Sequence, residues 1–270
     1  MNANKKFALC LAGVAVIFII SLLSPYIFKD VNEINFDRKL QASSLEHPFG
    51  TDNFGRDLLE RTLYGLRISL ILAVCIEAIS LIIGVSAGLI AGYYGGVVDE
   101  IISRTIDTLM AFPNIIFALT LIAVLGQSMA TLILALSLLG WIGYARIVRS
   151  EVLSLKENEY ISLAKAVGGS DFYIMAKHIL PNAVMPIIPL ATLMIGHSVL
   201  SIAGLSFLGL GVQPPTPELG LMLKESMTYM DTAPWLMIYP GLVLSICVLL
   251  FNTLGDALRD ILDPRKEKVE

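Results

Sequence analysis

Side chains that carry enzyme chemistry are scarce in this sequence and stand apart. The three cysteines, Cys10, Cys75 and Cys247, each lie inside an apolar run without metal-ligand spacing. They read as small core hydrophobes, not as disulfide partners or ligands. Three histidines in 270 residues are too few for a dedicated all-protein metal cage. No P-loop, G-x-S-x-G or H-E-x-x-H motif occurs, and no aspartates pair across neighbouring apolar runs, which argues against an intramembrane hydrolase. Charge is scarce as well. Charged residues make up 16% of the chain, the formal net charge is −4, and the basic residues form no sustained stripe, so nothing points to nucleic acid. Only Glu77, Asp107 and His197 are ionisable residues embedded in apolar runs, and no inverted internal repeat is visible. A proton- or sodium-coupled carrier acting alone usually shows more of both. Energy for any transport is therefore expected from outside the chain.

What the sequence has in abundance is apolar length. Hydrophobic residues make up 56% of the chain and mean hydropathy is +0.75, more than an ordinary soluble core can hide. A span needs about 20 mainly apolar residues, and six candidates meet this: 7–28, 67–92, 102–125, 129–148, 183–211 and 234–257. An all-α membrane protein is expected. Lys5 and Lys6 before a run to Leu23 resemble a signal peptide, yet no A-x-A-like cleavage site follows, so the segment is kept as a span. Basic residues set the orientation. With the N-terminus cytoplasmic, that side receives Lys5, Lys6, Arg104, Arg146, Arg149, Lys156, Lys165, Lys177, Arg259, Arg265, Lys266 and Lys268. The other side receives Lys29, Arg38, Lys39, Arg56, Arg61, Arg67 and Lys224, partly offset by acids between Asp30 and Glu60. Both termini are expected in the cytoplasm. The chain then divides into an N-terminal helix (1–28), an external segment (29–66), a core of five spans (67–262) carrying a cytoplasmic loop (149–181), and a cytoplasmic tail (263–270).

Gly84, Gly88 and Gly92 recur every four residues and put a small-residue groove on one face of the second span, which implies close packing against protein. Pro113, Pro186 and Pro189 each remove a backbone donor and predict kinks of the kind that surround a pathway. Gln213-Pro-Pro-Thr-Pro217 reads as a stiff turn before a short amphipathic segment, Leu219 to Met230. Asp231 or Thr232 is expected to cap the last span, with Pro234 in its first turn and Trp235 at the interface. The polar interruption from Arg146 to Pro181 is the most informative stretch. It contains an amphipathic helix ending at Gly168-Gly169, with Tyr160, Leu163 and Val167 at i, i+3 and i+7 as an apolar stripe and Glu159 and Lys165 away from it. A helix of this kind either docks a partner or lies on the lipid interface or its own bundle.

That loop resembles the "EAA" loop of ABC-importer permeases: E-A-A, three residues, Gly, nine residues, I-x-L-P. Gly168, Leu180 and Pro181 match, whereas Ser162-Leu163-Ala164 stands where the family has E-A-A and His178 replaces the Ile. His47–Leu70 (HPFGTDNFGRDLLERTLYGLRISL), Asp107–Pro113 (DTLMAFP), Leu205–Leu223 (LSFLGLGVQPPTPELGLML) and Gly255–Arg265 (GDALRDILDPR) are similar to the C-type permeases of dipeptide, oligopeptide and nickel importers. The resemblance implies a type I ABC-importer permease of a bacterial or archaeal cell membrane. It also implies a B-type permease partner, two cytoplasmic ATPases that hold ATP and Mg, an external solute-binding protein, and no cofactor on this chain. Tyr160, Leu163, Ala164, Val167, Gly168 and Pro181 are then the ATPase-coupling residues.

Cargo is read from the fifth span. Ile195-Gly196-His197 resembles the nickel-importer branch, which implies nickel or another transition metal carried as a chelate; di- or oligopeptides are the alternative. His197, Ser201 and Gly204 share one helix face, with Met194 a turn earlier, and a His and a thioether could touch a soft metal. His197 could equally bridge helices by a hydrogen bond. Glu77, near the middle of the second span, must be protonated, paired or wet, as a pathway group or a buried hydrogen bonder. Arg104 and Asp107, at i and i+3, are expected to pair near the inner end of the third span.

Overall fold

The computed structural model describes residues 3–28 and 30–262; the expected tail over 263–270 lies outside them. The described residues form helices joined by turns, without a β-sheet. In chain order the helices are α1 (Ala3–Ile27), α2 (Leu58–Tyr94), α3 (Gly96–Met110), α4 (Asn114–Leu125), α5 (Met129–Lys156) and α6 (Glu159–Ala166). They continue with α7 (Asp171–Ile174), a π-type turn (Met175–Ile179), α8 (Leu180–Ala183), α9 (Ile187–Phe207), α10 (Leu219–Ser226) and α11 (Trp235–Leu262).

Five helices, α1, α2, α5, α9 and α11, are long and apolar enough to cross a bilayer, and there are six spans if α3 and α4 count as one. The third span differs from its expected form. Instead of one helix over 102–125, α3 and α4 meet at 86° across residues 111–113, where Pro113 withholds a donor and its ring disfavours helical backbone before it. α4 alone rises only about 18 Å, well short of the roughly 30 Å hydrocarbon layer. α2, in contrast, is 37 residues, about 55 Å long. It begins at Leu58 because the Asp57 side chain accepts from the Glu60 amide at 3.0 Å.

The core is a seam between α2 and α5. At Gly88 an added Cβ would stand 2.4 Å from Ala145 O, at Gly84 2.5 Å from Trp141 O, and at Gly92 2.8 Å from Val152 Cβ. The glycine stripe therefore lets the backbone of α5 lie against α2. α9 packs on α11, and α1 leans on α11 and α2, closing a cluster that includes Leu70, Ile76, Ile122, Leu132, Ile202 and Phe251. α10 sits across α9 with Gly220 so close that a Cβ would be 2.1 Å from Ala203 O. Its cap, Glu218, is fully buried; one carboxylate oxygen accepts from Leu221 N at 3.0 Å and the other from Ser69 Oγ at 2.9 Å, tying α10 to α2. Asp231 and Thr232, expected as caps of the last helix, sit instead in the turn before it, where Thr232 Oγ1 donates to Tyr229 O.

The segment before α2 is a built knob. His47 pairs with Asp57 at 2.7 Å, Arg56 Nε with Asp52 at 2.6 Å, and Arg61 Nε with Asp52 at 3.5 Å. Phe49 stacks on Tyr239 of α11 with ring centroids 4.2 Å apart, and the Trp235 indole donates to Thr51 O. Gly50 and Gly55 take φ of +80° and +74°, and at Gly55 a Cβ would lie 1.7 Å from Asn35 O. The H-P-F-G-T-D-N-F-G-R-D stretch is thus specified by its own turns and ion pairs.

Candidate coupling loop and pathway face

α5 continues eight residues beyond the expected end of its span at residue 148, so Arg146 and Arg149 are helical. The loop proper starts at Glu157. α6 follows, with Asn158 at its N-cap position, and ends in a Schellman motif: Gly169 N donates to Ala164 O at 3.0 Å and Gly168 N to Lys165 O at 3.1 Å. Gly168 holds φ +88° there, a left-handed position that a side chain would strain. One face of α6 turns inward. Ile161 is buried in the apolar cluster that also holds Val148, Val152 and Ile174, and Ala164 packs against that cluster. The opposite stripe, Tyr160, Leu163 and Val167, is 44%, 64% and 85% exposed. The apolar stripe is thus left open while its neighbour Ile161 is sealed in the core. Pro181 stands exposed at the start of α8.

The loop is tied to the bundle by polar contacts that periodicity did not reveal. Tyr93 Oη, at the end of α2, donates to Asp171 Oδ1 at 2.6 Å, and Lys156 Nζ donates to Tyr93 O at 2.5 Å. Arg149 clamps Asp99 of α3 with two bonds of 2.5 and 2.6 Å. Arg104 does not pair with Asp107. Its guanidinium sits on Glu100 at 2.6 Å, because a Glu four residues ahead of an Arg on one helix face is the better-placed partner.

On α9, His197 is exposed and its imidazole has no hydrogen-bond partner among the described residues. Ser201 is half-buried on the same side, while Met194 is half-buried and packed towards the cluster that holds Tyr144 and Val148, so it does not share the open face with His197. Glu77 lies inside the bundle. Its carboxylate accepts from Tyr144 Oη of α5 at 2.6 Å and from Ser198 Oγ of α9 at 2.5 Å, joining three helices at one buried charge-bearing group. Ser198 and Tyr144 escaped notice in the sequence because a hydroxyl in an apolar run carries no periodic signal; only the cost of leaving Glu77 unpaired pointed to partners of some kind. No group of three or more His, Cys, Asp or Glu that could hold a metal occurs among the described residues.

A bundle of apolar spans with a glycine-packed core, a kinked third span and an exposed apolar helix on a basic loop defines a multi-pass transport subunit. Residues 84–268 match the family of binding-protein-dependent transport system inner membrane components, well over half of the chain, and the chain belongs to that family. It is similar to the dipeptide transport system permease protein DppC of Alkalihalophilus pseudofirmus, 43% identical over 97% of this chain and 87% of that protein. The glutathione transport system permease protein GsiD of Pectobacterium atrosepticum is 42% identical over 93% and 83%. DppC of Haemophilus influenzae is 39% identical over 97% and 91%. Two solved structures share the fold. One is a chain of the MetNI methionine ABC transporter in inward-facing conformations (TM-score 0.59, 21% identity, covering 76% of this chain and 96% of that one). The other belongs to an amino acid ABC transporter crystallised with histidines (TM-score 0.56, 17% identity, 75% and 94%).

The chain is a permease subunit of a bacterial ABC importer in the inner membrane, not an enzyme; ATP hydrolysis belongs to separate ATPase subunits, and a substrate-binding protein delivers cargo. The expectation of nickel or a metal chelate gains no support. These relatives are named for dipeptide and glutathione, and among the described residues His197 belongs to no group of three or more His, Cys, Asp or Glu that could hold a metal.

Proposed function

We propose that this subunit forms one half of the pathway of an importer for dipeptides or other short peptides. It pairs with a B-type permease, two cytoplasmic ATPases that bind ATP and Mg, and an external binding protein. Both termini lie in the cytoplasm, and the chain binds no cofactor of its own. The observation that carries the cargo reading is identity of 39–43% across more than nine-tenths of the chain to permeases named for dipeptide and glutathione transport.

The geometry supports the division of labour. The exposed stripe Tyr160, Leu163 and Val167 inserts into an ATPase groove, while Ile161 and Ala164 couple α6 to the core, Gly168 ends the helix sharply and Pro181 starts the return to α9. Movement of the ATPases then reaches α2 through the Asp171–Tyr93 hydrogen bond and α5 through Val148 and Val152. His197 and Ser201 offer hydrogen bonds to a passing peptide from the open side of α9, whereas Glu77 holds α2, α5 and α9 together.

The deciding experiment is ATP-driven uptake into proteoliposomes holding the complete importer, with a labelled dipeptide and radioactive nickel in parallel. Saturable dipeptide uptake without nickel uptake is expected; nickel uptake without dipeptide uptake would refute the cargo assignment. Replacing His197 by Ala removes one hydrogen bond worth about 1 kcal/mol, so dipeptide uptake should fall roughly fivefold with assembly intact.

A further inference from the structure

The cavity between the end of α2, the end of α5 and α6 has no role in the reading above. Its volume is about 270 Å³, and its lining includes Tyr93, Tyr94, Lys156, Ser162, Lys165 and Asp171. Lys165 lies four residues after buried Ile161, hence on the same side of α6 and away from the stripe of Tyr160, Leu163 and Val167, and it lines the cavity while remaining exposed. Two ammonium groups therefore look into one cavity. Neither Lys156 nor Lys165 has an ion-pair partner among the described residues, and the single carboxylate of the lining, Asp171, is held on the Tyr93 hydroxyl, which leaves the lining with one net positive charge. Lys156 is held in place by Tyr93 O at 2.5 Å and stands 5.7 Å over the Tyr93 ring. Two lysines, one of them held by the backbone of α2, with a serine hydroxyl and the Tyr94 side chain at one opening make a receptor for an anion with several acceptor oxygens.

The surroundings indicate the source of that anion. Tyr94, half of it in solvent, lines the cavity at the end of a span, and Gly95-Gly96 leads directly into α3. On α3, Val97 and Ile101 are 72% and 61% exposed on the helix side left free when Asp99 is clamped by Arg149. A cationic cavity at a span's end, continuous with an unpartnered apolar helix side, matches a molecule with a phosphate head and acyl tails. We propose that the cavity binds a phosphate-bearing anion supplied by an anionic phospholipid of the adjacent leaflet, seating the headgroup between α6 and α2 with the chains along α3.

The test is native mass spectrometry of the assembled importer titrated with dioleoyl phosphatidylglycerol, beside dioleoyl phosphatidylcholine and millimolar inorganic phosphate. The wild type should retain phosphatidylglycerol in preference to phosphatidylcholine. Lys165→Gln should weaken the tightest phosphatidylglycerol by about fivefold, the effect of one basic residue near a surface, and Lys165→Arg should restore it. Lys156→Gln should act in the same direction. Phosphatidylglycerol retention unchanged in Lys165→Gln overturns the site. Lysine-dependent competition by inorganic phosphate, with no preference between the two lipids, overturns the lipid source and leaves the cavity to a free anion.

Discussion

Gly88→Ala is the substitution that bears most directly on how this bundle is held together. The Cβ it adds would stand 2.4 Å from Ala145 O and 2.8 Å from Val148 Cβ, against 3.4 Å or more for ordinary contact. Neither atom can swing aside, because one is backbone and the other is fixed to a helix, so α5 must retreat from α2 by about 1 Å along this stretch. Retreat loosens Gly84 against Trp141 and Gly92 against Val152, and it draws Tyr144 away from Glu77. Overpacking of this kind costs about 1–3 kcal/mol, against a gain of roughly 1 kcal/mol in helix propensity from replacing Gly by Ala. The net expectation is a destabilised subunit, read as unfolding of the purified importer in mixed micelles as the fraction of sodium dodecyl sulfate rises. Gly143→Ala is the control, since nothing lies within 4 Å of its added Cβ; that variant should equal or exceed the wild type. Gly88→Ala unfolding with the wild type, or Gly143→Ala unfolding earlier than Gly88→Ala, would refute the packed-seam argument.

Three further expectations follow from named contacts. Leu163→Glu puts a charge on the exposed stripe of α6 and should abolish co-purification of the ATPases, or substrate stimulation of their activity, while the subunit still inserts; normal values for both would sink the coupling assignment. Tyr144→Phe and Ser198→Ala each remove one donor from Glu77, at about 0.6 kcal/mol on average and at most about 1.7 in membrane measurements. The double variant should lose more than the sum, because the buried carboxylate is then left without a partner, and strict additivity in a double-mutant cycle would contradict that. With both termini cytoplasmic, a cysteine at Asn53 should react with an impermeant maleimide in intact cells and one at Asp171 should not; the opposite pattern reverses the orientation.

How much of this was legible in the sequence follows from which physics is local. Span length and apolarity, the glycine spacing of α2 and the stripe of α6 are periodic signals within one helix, and the helices stand close to where those signals place them. The break in the third span was half legible. Pro113 marked a kink, but apolar content alone could not tell a bent span from two helices meeting at 86°. Ion pairs were least legible. Arg104 had two acids within helical reach, Glu100 and Asp107, and spacing alone did not choose between them; side-chain direction along the helix selects Glu100.

Glu77 shows why the remainder needed coordinates. Its position in the middle of a span dictated that it be satisfied, yet the satisfying groups come from residues 67 and 121 positions away. Each is an ordinary hydroxyl in an ordinary apolar helix, and neither has a reason to be singled out until α2, α5 and α9 are brought together. His197 is the converse case. It drew attention as the one histidine of its span, and the fold sets it on the open side of α9, directly beside Ser198, which faces inward to Glu77. Adjacent residues on a helix point about 100° apart, so one turn of α9 carries both a buried tie to α2 and an exposed imidazole. Any change in the tilt of α9 against α2 would have to strain the Ser198–Glu77 hydrogen bond while it moved His197, so the two residues would answer the same motion in opposite ways.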